Sequence, residues 1–125
     1  MRRKLLRILI VGDDLAVVRL IDRILKKTWE CRTECVPNSP ELIRLLPHFR
    51  PDLVVMDLDL PEERDLLLYG YIHALDWRPR ILCISGHGTE EARTRILNSG
   101  ASGILVKPFK VQDLVQKVQI LFPGL

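Results

Sequence analysis

Four short, unbroken apolar runs punctuate the chain: Ile8 to Val11, Leu53 to Met56, Ile81 to Ile84 and Ile104 to Val106. Runs of this length without polar alternation are expected of strands covered on both faces, as in a parallel sheet between two helical layers. A fifth candidate, Cys31 to Val36, is more polar and suits an edge strand. Between the runs the period changes. Val17, Ile21, Ile24 and Thr28 recur at helical spacing, with Arg19, Asp22, Arg23, Lys26 and Lys27 on the other side, which predicts an amphipathic first helix. Ser39 followed by Pro40 reads as the cap and first-turn proline of a second helix. Leu66 to Leu75 predicts a third, weakened at Gly70 by about 1 kcal/mol relative to alanine. The fourth opens at a cap, Thr89, and stops at Gly100. The fifth places Leu114, Val115, Val118 and Leu121 on one stripe and stops at Pro123 and Gly124. Five strands alternating with five helices predict an α/β fold with a doubly wound parallel sheet. With right-handed crossovers and strand order 2-1-3-4-5, the switch point lies between the first and third strands, where ligands bind beyond the carboxyl ends.

Composition narrows this picture. The 125 residues suffice for one core, and 47% hydrophobic with 28% charged residues excludes the profile of a disordered chain. The net charge of +3 comes partly from Arg2, Arg3, Lys4 and Arg7, read as a solvated end. No aromatic residues interleave with them and no recognition motif follows, so nucleic-acid binding is not expected. The apolar stretch from Leu5 to Val11, interrupted by Arg7, is too short to cross a bilayer, and it ends in acids unlike a signal peptide. Cys31, Cys35 and Cys83 form an odd set without a CxxC pair or a histidine at zinc spacing. Reduced thiols in a cytoplasmic protein are the expectation.

The candidate chemistry sits at the strand ends. Strand one runs into Gly12, Asp13 and Asp14, strand three into Asp57, strand four into Ser85 and Gly86, and strand five into Lys107, Pro108 and Phe109. Singly, each has a bland explanation: acids cap helices, serines satisfy turns, lysines are solvated. In a parallel sheet, however, all four sets reach the same edge. Three carboxylates brought together repel one another unless a cation offsets them, so a divalent metal with one lysine is the natural partner set. Hard oxygen donors with room for water and phosphate suit Mg²⁺.

The segments RILIVGDD, DLVVMDLDLP, ILCISGHG and ILVKPF resemble, in order, the four signature segments of response-regulator receiver domains of two-component systems, the bacterial signalling type. The resemblance covers almost the whole chain and implies a flavodoxin-like fold and a single receiver domain over residues 1–125. It implies that Asp57 takes a phosphoryl group from a phosphohistidine on a sensor histidine kinase or phosphotransfer protein. Asp14 and Asp57 would ligate Mg²⁺, with the backbone carbonyl of Asp59 as a third ligand and Asp13 assisting. Lys107 and Ser85 would contact the phosphoryl oxygens, and their inward movement would shift the fourth helix. Such a domain is a signalling switch that catalyses only its own phosphorylation and dephosphorylation. The resemblance is compatible with a homodimer through the fourth and fifth helices, although no charge pattern here specifies it.

The sequence departs from the family at several positions. Ile104 stands three residues before the lysine where many members carry an aromatic switch, so coupling to the output face differs. The loop after strand three reads Pro61, Glu62, Glu63, Arg64, Asp65, without the usual glycine. Asp59 and His87 occupy the two positions that influence phosphate lifetime, and the bland reading of His87 is an exposed loop histidine. Two rival functions share these residues. One is a haloacid-dehalogenase-like phosphatase, suggested by Asp57-x-Asp59, although that family carries its Asp-x-Asp on the first strand. The other is an interaction module that works without phosphorylation.

Overall fold

The computed structural model describes residues 5–57, 63–86 and 89–125, with the backbone alone described at 63–66. Strands β1 (Leu6–Gly12), β2 (Cys31–Val36), β3 (Leu53–Asp57), β4 (Arg80–Ser85) and β5 (Gly103–Val106) alternate with helices α1 (Leu15–Thr28), α2 (Ser39–Phe49), α3 (Glu63–His73), α4 (Glu90–Asn98) and α5 (Val111–Leu121). All strands run parallel in the order β2-β1-β3-β4-β5, the expected doubly wound, flavodoxin-like arrangement. Because successive strand residues point to opposite faces, the apolar runs feed two separate cores. Leu9, Val11, Val54, Met56, Cys83 and Ile104 pack beneath α2, α3 and α4. Ile8, Ile10, Leu53, Val55, Leu82 and Leu105 pack against α1 and α5.

The helices differ from expectation in instructive ways. The buried face of α1 is Val18, Ile21, Ile24 and Leu25, turned by one position from the predicted stripe. Val17 is only half-buried, and Thr28 is exposed with its hydroxyl donating to the Ile24 carbonyl at 2.8 Å. The cap of α2 is Asn38, not Ser39: its side chain accepts from the Glu41 amide at 3.0 Å, and Ser39 and Pro40 are the first helical residues. Either residue type can cap; the bond from the Glu41 amide goes to Asn38, and Pro40 at the second helical position is tolerated because first-turn amides have no intrahelical acceptor. Helix α3 starts at Glu63 and ends at His73, earlier than predicted at both ends, and passes through Gly70. Thr89 caps α4 as expected. The chain leaves α4 through Gly100 at φ +120°, where a Cβ would stand 3.0 Å from the Cβ of His73.

Arg7 corrects the reading of a solvated basic end. Its Nε donates to the Phe49 carbonyl at 2.7 Å and its guanidinium stacks over the Phe49 ring at 4.4 Å. Arg2, Arg3 and Lys4 lie outside the described residues.

Gly12, the last residue of β1, pairs in register with Asp57. A Cβ added there would meet Val18 Cγ2 at 2.9 Å and Asp57 Cβ at 3.2 Å. Valine in a helix has little rotameric freedom to yield. Gly12→Ala is therefore expected to lower stability by about 1–3 kcal/mol, read as a lower urea midpoint with an unchanged slope.

Candidate functional site

Register brings the chemistry to one edge. Gly12 is level with Asp57, so Asp13 and Asp14 begin just beyond the carboxyl end of β3. Asp57 is level with Ile84, so Ser85 lies one residue further out on β4, and Ser85 is level with Val106, the residue before Lys107. The Lys107 amide donates to the Ser85 carbonyl at 2.8 Å, extending the β4–β5 ladder by one bond and fixing where the lysine leaves the sheet. The peptide from Lys107 to Pro108 is cis.

From there the Lys107 ammonium reaches back across β4 to Asp57, with Nζ 2.6 Å from Oδ1. The Asp57 side chain is 1% exposed and that of Lys107 25%, so the carboxylate is shielded from water on every side except that of the ammonium and its neighbours. A buried carboxylate carries a desolvation cost of several kcal/mol that an opposing charge must offset. This ion pair unites two of the predicted site residues across 50 positions of sequence.

The other predicted residues are placed less uniformly. Ser85 is buried at the end of β4. Asp14 takes its bland role as well: Oδ1 caps α1, accepting from the amides of Ala16 at 3.1 Å and Val17 at 3.4 Å. Asp13 and Asp14 are both exposed. Among the described residues, no group of three or more acidic, histidine or cysteine side chains stands close enough to hold a metal ion. Ile104 is buried in the core beneath α3 and α4, beside Cys83 in register, and lies off the charged edge. Asp59 and His87 lie outside the described residues. Gly12 acts at this site as the close packing point between β1 and Asp57; its place immediately before the acid pair was the signal available in sequence.

The donor types at the strand ends are of the class that Mg²⁺ takes. Asp57 and the adjacent acid pair offer hard carboxylate oxygens, those of Asp13 and Asp14 open to water.

The response regulator receiver domain family matches residues 8–119. The chain belongs to this family. The chemotaxis protein CheY of Bacillus subtilis is 30% identical over 114 residues, covering 90% of this chain and 93% of that protein. The transcriptional regulatory protein PrrA of Mycobacterium tuberculosis is 29% identical over 92% of this chain but 49% of its own length. The chain thus spans about half the length of the PrrA relatives. A signal receiver domain from Bermanella marisrubri superposes with a TM-score of 0.81 at 27% identity, over 94% of this chain and 98% of that one. A response regulator from Thermotoga maritima reaches 0.88 at 18% identity, which speaks to fold alone. Response-regulator receivers are phosphoacceptor signalling units of two-component systems, and membership favours that role over both rivals. The phosphatase reading also fails on topology, since Asp57 ends the third strand and the acid pair follows the first.

Two predictions follow from this receiver geometry. Lys107→Met should destabilise the chain markedly in the presence of Asp57 and little in an Asp57→Asn background; denaturation of the four variants is expected to give a coupling of about 0.5–3 kcal/mol. Burial pushes the Cys83 thiol above its ordinary value of 9.0, and the Asp57 carboxylate adds to this, against a lowering by the Tyr69 hydroxyl. The folded chain therefore holds that proton longer than the unfolded one. The resulting stability is present below the unfolded value and is lost as pH rises through the folded one. Melting temperature should fall from pH 8.5 to 10 more steeply in the wild type than in Cys83→Ala.

Proposed function

We propose that Asp57 is the phosphoacceptor of this receiver, and that Lys107 and Ser85 are the groups that handle the transferred phosphoryl. The observation that carries the reading is the ion pair between Lys107 and Asp57 at the carboxyl edge, 2.6 Å between Nζ and Oδ1. A carboxylate in this setting is held in one orientation, with an ammonium beside the place where phosphoryl oxygens would sit. In the step itself, a carboxylate oxygen of Asp57 forms a bond to phosphorus as the bond from phosphorus to a donor imidazole breaks. The departing nitrogen keeps the electron pair and takes up a proton. Negative charge spreads over the equatorial oxygens, and Lys107 is placed to neutralise part of it without reorganising. Ser85, level with the residue before Lys107, donates its hydroxyl to the product. Asp57, Asp13 and Asp14, with Asp59, would hold Mg²⁺, which supplies charge neutralisation between acceptor and phosphoryl group.

The donor class is a phosphohistidine on a histidine kinase or phosphotransfer protein, supported by family membership. Residues 1–125 act as one receiver unit. No described helix is long and apolar enough to cross a membrane. The likeness to chemotaxis receivers and the three free thiols support a cytoplasmic setting. Incubated with Mg²⁺ and a small phosphodonor, the wild type is expected to gain one base-labile phosphoryl equivalent by intact mass, and Asp57→Asn none. Labelling of Asp57→Asn to the same extent, or of neither protein, would refute the assignment.

A further inference from the structure

The free edge of β2 differs from the charged edge of the sheet in every respect, and it is self-complementary. Among the described residues β2 pairs with β1 alone, through six consecutive residues in unbroken register. Its outer side therefore presents a row of backbone donors and acceptors without a ladder. No proline or bulge interrupts it before Pro37. Arg32 and Glu34 are exposed, and neither forms an ion pair with a described residue. We propose that this edge takes a second copy of this chain, β2 pairing antiparallel with its counterpart about a two-fold axis at Thr33.

Sequence selects that register. A two-fold axis perpendicular to the sheet keeps each face on its own side, so residues opposite one another must have the same parity. With Thr33 on the axis, Arg32 stands opposite the second copy's Glu34, and Glu34 opposite its Arg32. Moving the axis to Arg32 or to Glu34 sets like charges directly against each other, which is destabilising. The charges that discourage indiscriminate pairing at an edge thus permit one alignment and oppose its two neighbours.

The other face supplies a reporter. The Thr33 hydroxyl donates to Asp22 of α1, so Cys31, Thr33 and Cys35 point toward α1, while Val36 enters the opposite core and places Arg32 and Glu34 on the α2 side. In the selected alignment Cys31 of one copy lies opposite Cys35 of the other. Opposed side chains in an antiparallel pair have Cβ atoms about 4.5–5.5 Å apart, near disulfide reach. Within one chain the two cysteines are four strand positions apart, about 13 Å, and cannot bridge.

The test uses diamide, which accepts two electrons and two protons from a pair of thiols as the sulfur–sulfur bond forms. At mildly alkaline pH the wild type is expected to give a covalent dimer linked through Cys31 and Cys35. Cys31→Ser alone and Cys35→Ser alone should give none, whereas an equimolar mixture of the two should cross-link, because one supplies Cys35 and the other Cys31. Cross-linking by either variant alone, or none in the mixture, overturns the proposal. Sedimentation velocity provides a second reading independent of thiols. Arg32→Glu and Glu34→Arg should each abolish concentration-dependent association, and the double swap should restore it. A wild type that stays monomeric to its solubility limit, or a dimer indifferent to both reversals and thus held by another face such as α4 and α5, sinks the idea.

Discussion

One buried negative charge organises this molecule. Asp57 closes a strand in which all five residues are buried, and an ammonium approaching from two strands away offsets the cost of a carboxylate there. That approach depends on register. Parallel pairing aligns Gly12 with Asp57, Asp57 with Ile84 and Ser85 with Val106, so every strand delivers its last residue to the same edge. A shift of one residue in β5 would turn Lys107 toward the other face and leave the carboxylate without its counter-charge. The pairing of β4 with β5 and the ion pair therefore reinforce one another, and the bond from the Lys107 amide to the Ser85 carbonyl is the joint between them.

The opposite end of the sheet is built for the reverse purpose. Asp52 accepts from the Arg7 amide through its carboxylate, donates its own amide to the Arg7 carbonyl, and accepts from the Arg80 amide through its carbonyl. Three neighbouring strands are fastened by one residue. Trp77 adds a bond to the Pro51 carbonyl and carries the Arg50 guanidinium over its ring. Polar groups at this end are matched with fixed partners. At the other end the side chains of Asp13 and Asp14 are exposed to water. The division places rigidity beneath the site and adaptability at it, as pre-organised chemistry requires.

Much of this was legible in sequence because burial on both faces leaves a coarse mark. Runs such as Leu53 to Met56 can hardly be anything but central strands, and with them the edge location of Asp57 and Lys107 follows. What escaped was decided by finer competition. Val17 and Val18 are both apolar, and only packing against the sheet tells which faces inward. Asn38 and Ser39 can each cap a helix, and only the local backbone, which aims the Asn38 oxygen at the Glu41 amide, tells which does. Arg7 reads as a solvated charge because sequence spacing does not reveal that the Phe49 ring and carbonyl lie beside it. For the acid pair, register sets the backbone just beyond the carboxyl end of β3, and Asp14 Oδ1 caps α1, the role that sequence alone offers any acid following a strand.

The absence of an aromatic at position 104 bears on how a change at Asp57 is transmitted. Ile104 is 6% exposed and packs in the core shared with Tyr69 and Ile96, so no ring there can swing between buried and exposed positions. The elements tied directly to the site are then the ends of β4 and β5, joined by the Lys107 to Ser85 bond, and α4, which follows β4. Helix α4 is anchored by a single buried residue, Ile96, while α1 has four. An element so lightly held has the smallest apolar burial to give up on moving, which makes it the segment most readily biased by a redistribution of charge between Asp57 and Lys107.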